Sequence, residues 1–303
     1  MQQRVKQTKK TNRKISDSVR LNAYAALVVK AALAEDIGSG DITTAAVVTP
    51  GMRGECVITA KEDMTVAGLF IAETAFRQLD KDVVFKPFGK DGEYVKKGKT
   101  IATVAGRLGA LLTAERVALN FLQRLSGIAT LTRSFAAKAA PHGARILDTR
   151  KTTPCLRMFE RYAVRAGGGL NHRFGLFDAV LIKDNHIMAA GGVQKAISRV
   201  NEQYQKRMPV EVEVTNLKEA KEAVKAGADI IMLDNMNITD IKKAVRLING
   251  CALIEASGGI NIDNVEAVAK TGVDFISVGA LTHSAMAADI SMEVKRYVAG
   301  RKR

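Results

Sequence analysis

Residues 145–188 read RILDTRKTTPCLRMFERYAVRAGGGLNHRFGLFDAVLIKDNHIM, and the fold turns on this stretch. Two short apolar runs, Arg145–Leu147 and Ala179–Ile182, have the composition and length of buried strands. Each ends in polar residues: Asp148, Thr149, Arg150 and Lys151 after the first, Lys183, Asp184, Asn185 and His186 after the second. Between them lie a helical pattern, the triple glycine Gly167–Gly169, and Asn171, His172 and Arg173. Arg150, Lys151, His172, Arg173 and Lys183 crowd positive charge into one place, which is costly unless an anion fills it. The first expectation is a pocket for a small, multiply charged anion.

Downstream the alternation continues. Strand-like runs at Val210–Val214, Ile230–Leu233, Leu253–Glu255 and Phe275–Val278 alternate with helical segments at about 192–206, 217–226, 238–249 and 261–271. Repeated βα units of this length imply parallel strands joined by right-handed crossovers. These later runs also finish in polar residues or glycine: Glu213, Asp234-Asn235, Ser257-Gly258-Gly259 and Gly279. In a barrel all C-terminal strand ends converge on one rim, whereas an open sheet gathers them only at its switch point. Polar residues at six successive ends favour an α/β barrel, incomplete or irregular because six strands are counted. The segment 283–303 is too short for another unit and is expected to pack back on the N-terminal part.

Upstream, residues 16–36 have a helical pattern, with Ser16 and Asp17 as cap candidates and Val19, Leu21, Ala25, Leu27, Val28 and Leu33 as its apolar positions. Residues 45–106 are β-rich with one helix at 69–79, and a second helical pattern runs from Leu111 to Ala140. At 303 residues and 47% hydrophobic, the chain can bury a sizeable core. No apolar run approaches the ~18 residues of a membrane span, and no signal peptide is visible. Cys56, Cys155 and Cys251 are isolated, which suits a reducing compartment, expected to be the cytoplasm. The net charge is +15, and six of the 46 basic residues fall in the first fourteen positions. Without interleaved aromatics this stretch reads as a disordered, solubilising tail rather than a nucleic-acid arm.

Residues at the rim suggest chemistry. Backbone N–H groups at Ser257, Gly258 and Gly259, and at Gly279 and Ala280, are expected to make a phosphate site. In VEVEV, Glu211 and Glu213 point the same way. Glu213 and Asp234 suit ribose hydroxyls or a Mg²⁺ that holds a diphosphate, although Asp234 also suits a helix cap. Lys183 at a strand end is compatible with a Schiff-base aldolase, which leaves the surplus Arg and His residues unexplained. His172 is placed to donate to a substrate carboxylate. It lies too far from His186, without further ligands at metal spacing, to form a metal pair.

DTRKTTP, GGGLNHR and LIKDNH closely resemble the quinolinate phosphoribosyltransferase family. The resemblance continues through EDIGSGDITT, ERVALNFLQRLSGIAT, EVEV, IMLDNM, EASGGI and SVGALTHSA, over roughly residues 18–290. The family usually has glycine where Cys155 stands and often cysteine where Ala166 stands, and a molybdenum-transport-associated relative shares part of the pattern. The resemblance implies an N-terminal α/β sandwich and an open, about seven-stranded TIM-like barrel. The sandwich is set at 16–117 with 286–303 and the barrel at 118–285, while the disordered basic tail at 1–15 lies outside the resemblance. It implies a homodimer or higher oligomer with shared sites, Arg116 coming from the neighbouring subunit. The implied reaction joins quinolinate to phosphoribosyl pyrophosphate with Mg²⁺, giving nicotinate mononucleotide, diphosphate and CO₂. Arg116, Thr149, Arg150, Lys151, His172, Arg173 and Lys183 would hold quinolinate. Glu213, Asp234, Ser257, Gly258, Gly259, Val278, Gly279 and Ala280 would hold the sugar diphosphate. Lys151, Lys183, Glu213 and Asp234 would be catalytic. No residue is identifiable as the proton donor that completes decarboxylation.

Overall fold

The computed structural model describes the backbone of residues 2–205 and 207–298, with side chains from Val19 onward. Two compact units result: Met1–Thr130 with Met286–Arg303, and Leu131–Ala285. The division falls inside the helix Leu108–Ala139, which also contains the expected 117/118.

The first unit contains α1 (Gln2–Ile37), α2 (Ile42–Val47), β1 (Arg53–Ala60), β2 (Met64–Thr65), α3 (Leu69–Leu79), β3 (Val84–Pro87), β4 (Tyr94–Val95), β5 (Thr100–Arg107) and most of α4 (Leu108–Ala139). The expectation of a disordered tail at 1–15 is corrected: helical backbone begins at Gln2 and runs through Ser16 and Asp17. Residues 2–15 contain neither Pro nor Gly, and their Gln, Lys and Arg residues favour helix, so no local signal stops it. The tail's basic side chains lie outside the described residues. The buried face of α1 is Ala25, Val29 and Leu33, one residue every four, while Val19 and Leu27 of the expected face are exposed.

An antiparallel sheet carries this unit, with the chain's last strand, Ile290–Val298, outermost, followed by β1, β5 and β3. The segment after the barrel therefore ends as an edge strand, and positions 299–303 lie outside the described residues. Cys56, Ile58 and Ala60 alternate inward along β1. Burial pushes the Cys56 thiol up to about 11, so it is a packing residue. Phe76 of α3 stacks on Phe85 of β3 at 6.2 Å between centroids. Helix α4 buries Val117, Leu119, Leu122, Leu125 and Ile128. Its Gly127 lies so close to the returning chain that a Cβ would come within 1.9 Å of the Met286 carbonyl oxygen, so only glycine fits.

The second unit is a βα series: β6 (Arg145–Leu147), α5 (Arg157–Ala166), β7 (Val180–Ile182), α6 (Asp184–Ala190), α7 (Val193–Tyr204), β8 (Val210–Val214), α8 (Leu217–Ala226), β9 (Ile230–Asp234), α9 (Ile238–Ile248), β10 (Leu253–Ser257), α10 (Val265–Ala269), β11 (Phe275–Ser277) and the short α11 (Ala280–His283). Its six strands are parallel and ordered β6-β11-β10-β9-β8-β7. The sheet is a barrel left open between β6 and β7. The expected seventh strand is reduced to one parallel bridge, Leu147 to Leu170. Three consecutive glycines precede Leu170, and glycine weakens a strand. Helix starts follow local chemistry: the Asn216 and Asn237 side chains accept the N–H groups of Glu219 and Asp240. Asn237 is thus a cap.

Strand alternation aims the chemistry. In β8, Val210, Val212 and Val214 are buried on one face. Glu211 and Glu213 take the other face, which is the barrel interior. In β10, Ile254 and Ala256 pack outward, which turns Glu255 and Ser257 inward.

Candidate active site

The strand ends of the second unit enclose a cavity of about 640 Å³. Thr149, Arg150 and Lys151 line it after β6, Lys183 after β7, Glu213 from β8 and Asp234 from β9. Ser257, Gly258 and Gly259 follow from β10, with Val278, Gly279 and Ala280 after β11. His172 and Arg173 complete it from the loop after α5. The structure brings together every anticipated site residue except Arg116. That arginine is exposed on α4 in the first unit and lines a different cleft with Asp36, Asp41 and Thr113.

Two of the five expected cations carry internal counter-charges. Lys183 Nζ lies 2.5 Å from Glu213 Oε2, so an ammonium locked to a carboxylate replaces the free amine that a Schiff base requires. His172 Nε2 lies 3.0 Å from Glu211 and 3.7 Å from Glu255. Its Nδ1 accepts the Arg173 N–H at 2.8 Å, which places the ring hydrogen on Nε2. Burial pushes this imidazole's pKa down, but the carboxylates of Glu211, Glu255 and Asp148 outweigh it and hold the value up.

Arg150, Lys151 and Arg173 form no ion pair among the described residues. Among the described residues the Arg173 side chain is held by Nη1 donating to the Ala179 carbonyl at 3.2 Å. Burial, then the charge of Arg150, presses its pKa down. Three buried polar atoms without a hydrogen-bond partner belong to cavity residues: Arg173 Nε, Glu255 Oε1 and Ser277 Oγ. Buried polar groups are almost always paired, so this convergence marks a place where a ligand completes the network.

The loop carrying His172 and Arg173 is held from beneath. Asp148, fully buried, accepts the His172 N–H at 2.8 Å and the Asn171 side-chain amide. Arg161 Nη1 lies 3.4 Å from Asp148 and donates to the carbonyls of His172 at 2.6 Å and Arg173 at 3.1 Å. Sequence reasoning placed Asp148 in the polar cluster but gave Arg161 no role, because an arginine on a helical face reads as solvated. His186 is structural: its Nδ1 accepts the Lys183 N–H at 2.9 Å and closes the first turn of α6.

At the far wall, Gly258 has φ +89°, and a Cβ there would sit 2.3 Å from Asn235 Oδ1. The N–H groups of Gly258, Gly259 and Gly279 find no acceptor among the described residues, as a phosphate cradle requires. Asp234 accepts from its neighbour Asn235 at 2.7 Å. Together Asp234 and Glu213 supply oxygen donors of the kind Mg²⁺ takes. Cys155 sits at φ +62°, a backbone conformation that glycine adopts without cost.

Uncompensated cations facing a cradle of free amides, at the C-terminal rim of a parallel barrel, define a barrel enzyme built for anionic substrates. Sequence comparison narrows this. Residues 41–126 and 128–293 match the N-terminal and C-terminal domains described as quinolinate phosphoribosyl transferase. The chain is 46% identical over 291 residues to the chloroplastic nicotinate-nucleotide pyrophosphorylase [carboxylating] of Arabidopsis thaliana, covering 90% of this chain and 83% of that one. It is 45% identical over 260 residues to a probable enzyme of the same name from Bacillus subtilis, covering 86% and 90%. The solved nicotinate-nucleotide pyrophosphorylase of Francisella tularensis superposes with a TM-score of 0.87 at 43% identity, over 90% of this chain and 97% of that one. The chain belongs to the quinolinate phosphoribosyltransferase family. These matches favour neither the aldolase nor the molybdenum-transport reading.

Proposed function

We propose that this protein transfers phosphoribosyl from phosphoribosyl pyrophosphate to the ring nitrogen of quinolinate. Loss of the adjacent carboxylate then gives nicotinate mononucleotide, diphosphate and CO₂, a step in making NAD. One observation carries the assignment to the cavity: among the described residues, Arg173 is part-buried without an ion-pair partner and its Nε has no acceptor. A dicarboxylate supplies both, and a forked guanidinium grips a carboxylate through two parallel bonds.

Quinolinate therefore sits against Arg150, Lys151 and Arg173, with Thr149 and the His172 and Lys183 side chains around it. The 5′-phosphate of the sugar takes the amides at Gly258, Gly259, Gly279 and Ala280, beside Ser257 and Val278. Glu213 and Asp234 face the ribose, where positive charge develops as diphosphate leaves. Mg²⁺ held by the diphosphate, with Asp234 and Glu213 as its protein oxygen donors, would neutralise part of the leaving group's charge. Lys183 fixes Glu213 in place. Once alkylated, the ring nitrogen is cationic and stabilises the electron pair left on the neighbouring carbon when CO₂ departs.

Incubation with quinolinate, phosphoribosyl pyrophosphate and Mg²⁺ is expected to yield nicotinate mononucleotide and one CO₂ per turnover, and chelation with EDTA to stop it. Production of neither compound would reject the assignment. The reading also takes a homodimer, in which Arg116 of a second copy reaches this cavity. Arg116→Ala and Lys183→Ala proteins, each inactive, are then expected to regain activity when mixed and allowed to exchange subunits. Persistent inactivity after demonstrated exchange would remove the shared site. Among the described residues no disulfide links the three cysteines, and no described helix is long and apolar enough to cross a membrane. A reducing compartment such as the cytoplasm fits the cysteines.

A further inference from the structure

The reaction needs a proton at the carbon that loses CO₂, and one cavity group is placed to give it. Glu255 lies on β10 with 2% of its surface exposed, and it lines the cavity floor. Its Oε1 is buried with no hydrogen-bond partner among the described residues. Glu211 enters from β8 and His172 from the loop after α5, and the ligand atoms of the three side chains gather within 4.8 Å. His172 Nε2 is nearer Glu211 than Glu255. One ring N–H thus serves the first carboxylate and leaves the second without a full counter-charge. Two carboxylates this close in a buried place cannot both be ionised at little cost. Burial, reinforced by the charge of Glu211, pushes Glu255 up to about 8, so it holds a proton at neutral pH.

Several of the other lining groups are poorer donors. Guanidinium groups keep their protons, Lys183 is locked to Glu213 at 2.5 Å, and the His172 N–H is engaged by Glu211 at 3.0 Å. We propose that Glu255 is the acid that protonates the ring carbon after decarboxylation. The C–CO₂ bond breaks and leaves its electron pair on the carbon beside the cationic nitrogen. That pair takes the proton from Glu255, whose O–H electrons remain on the carboxylate. Water restores the proton once the product has left. Glu255 is thus an acid kept neutral by its surroundings until the carbanion forms. The inference rests on the cavity being the site of the quinolinate reaction.

Rapid-quench kinetics on the Glu255→Gln protein test it, following diphosphate, quinolinate mononucleotide and nicotinate mononucleotide separately. Without a donor the carbanion recaptures CO₂, so the mononucleotide of quinolinate is expected to accumulate. Diphosphate release in the first turnover stays within about threefold of the unaltered enzyme, while nicotinate mononucleotide formation falls at least about fiftyfold. The Glu255→Asp protein retains an acid and is expected to recover part of that loss. The alkaline limb of the unaltered enzyme's decarboxylation rate, falling above about pH 8 as Glu255 ionises, is expected to be missing in the Gln variant. Nicotinate mononucleotide formed by Glu255→Gln at the unaltered rate overturns the proposal alone and passes the donor role to Lys151 or water. Loss of diphosphate release in both variants assigns Glu255 to structure or binding and also overturns it. No diphosphate release from the unaltered enzyme overturns the reading of the cavity and the proposal together.

Discussion

Replacing Asp148 by alanine is expected to destabilise the protein by about 3–5 kcal/mol, the usual cost of removing one partner from a buried ion pair. Asp148 is fully buried and the Arg161 side chain is 11% exposed. The substitution therefore strands a guanidinium where water cannot replace the lost carboxylate. It also removes the acceptor of the His172 N–H and of the Asn171 amide. The loop that carries His172 and Arg173 then loses its anchor on β6, so quinolinate binding is expected to fail even below the unfolding temperature. Asp148→Asn keeps the shape and one acceptor oxygen, and its cost should be clearly smaller. Thermal unfolding with a parallel quinolinate titration measures both effects. An Asp148→Ala protein as stable as the unaltered one, binding quinolinate normally, would refute the anchoring role.

The second large effect is expected in the Arg150→Ala and Arg173→Ala proteins. A hydrogen bond to a charged group contributes about 1.5–3 kcal/mol, so each substitution should lower kcat/KM for quinolinate by about 10- to 150-fold. The two sites face one ligand, so the double variant measures coupling as well as the sum. Arg150 is exposed and carries no ion pair among the described residues, which makes its loss nearly neutral for folding. KM for phosphoribosyl pyrophosphate should move much less, because the proposed seat of its phosphates is the set of amides across the cavity. Near-normal kinetics in both single variants would empty the proposed quinolinate pocket of its main contacts.

The barrel was legible because its strands are short Val, Ile and Leu runs, each stopped by polar residues or glycine. Those stops are themselves the cavity lining, so fold and site share one signal. What the sequence hid was hidden for physical reasons. The run Leu253–Glu255 was readable as a strand. Nothing local says that Glu255 faces the interior beside Glu211, because the two are brought together by strand order and not by spacing. Arg161 and Asp148 stand 13 residues apart and meet only because the chain folds back after β6. Among the described residues the seventh strand is reduced to the bridge at Leu170, which directly follows the glycines 167–169. At the other end, Ser16 and Asp17 are good caps in isolation, yet the helix passes through them because no Pro or Gly precedes them.

Arg150 and Arg173 form no ion pair among the described residues, which leaves a dicarboxylate to supply one. A crystal structure of the protein with quinolinate bound tests this most directly. Carboxylate oxygens are expected within hydrogen-bond distance of Arg150 and Arg173, one of them on Arg173 Nε. A ring seated elsewhere, with both guanidinium groups still unmatched, would contradict it.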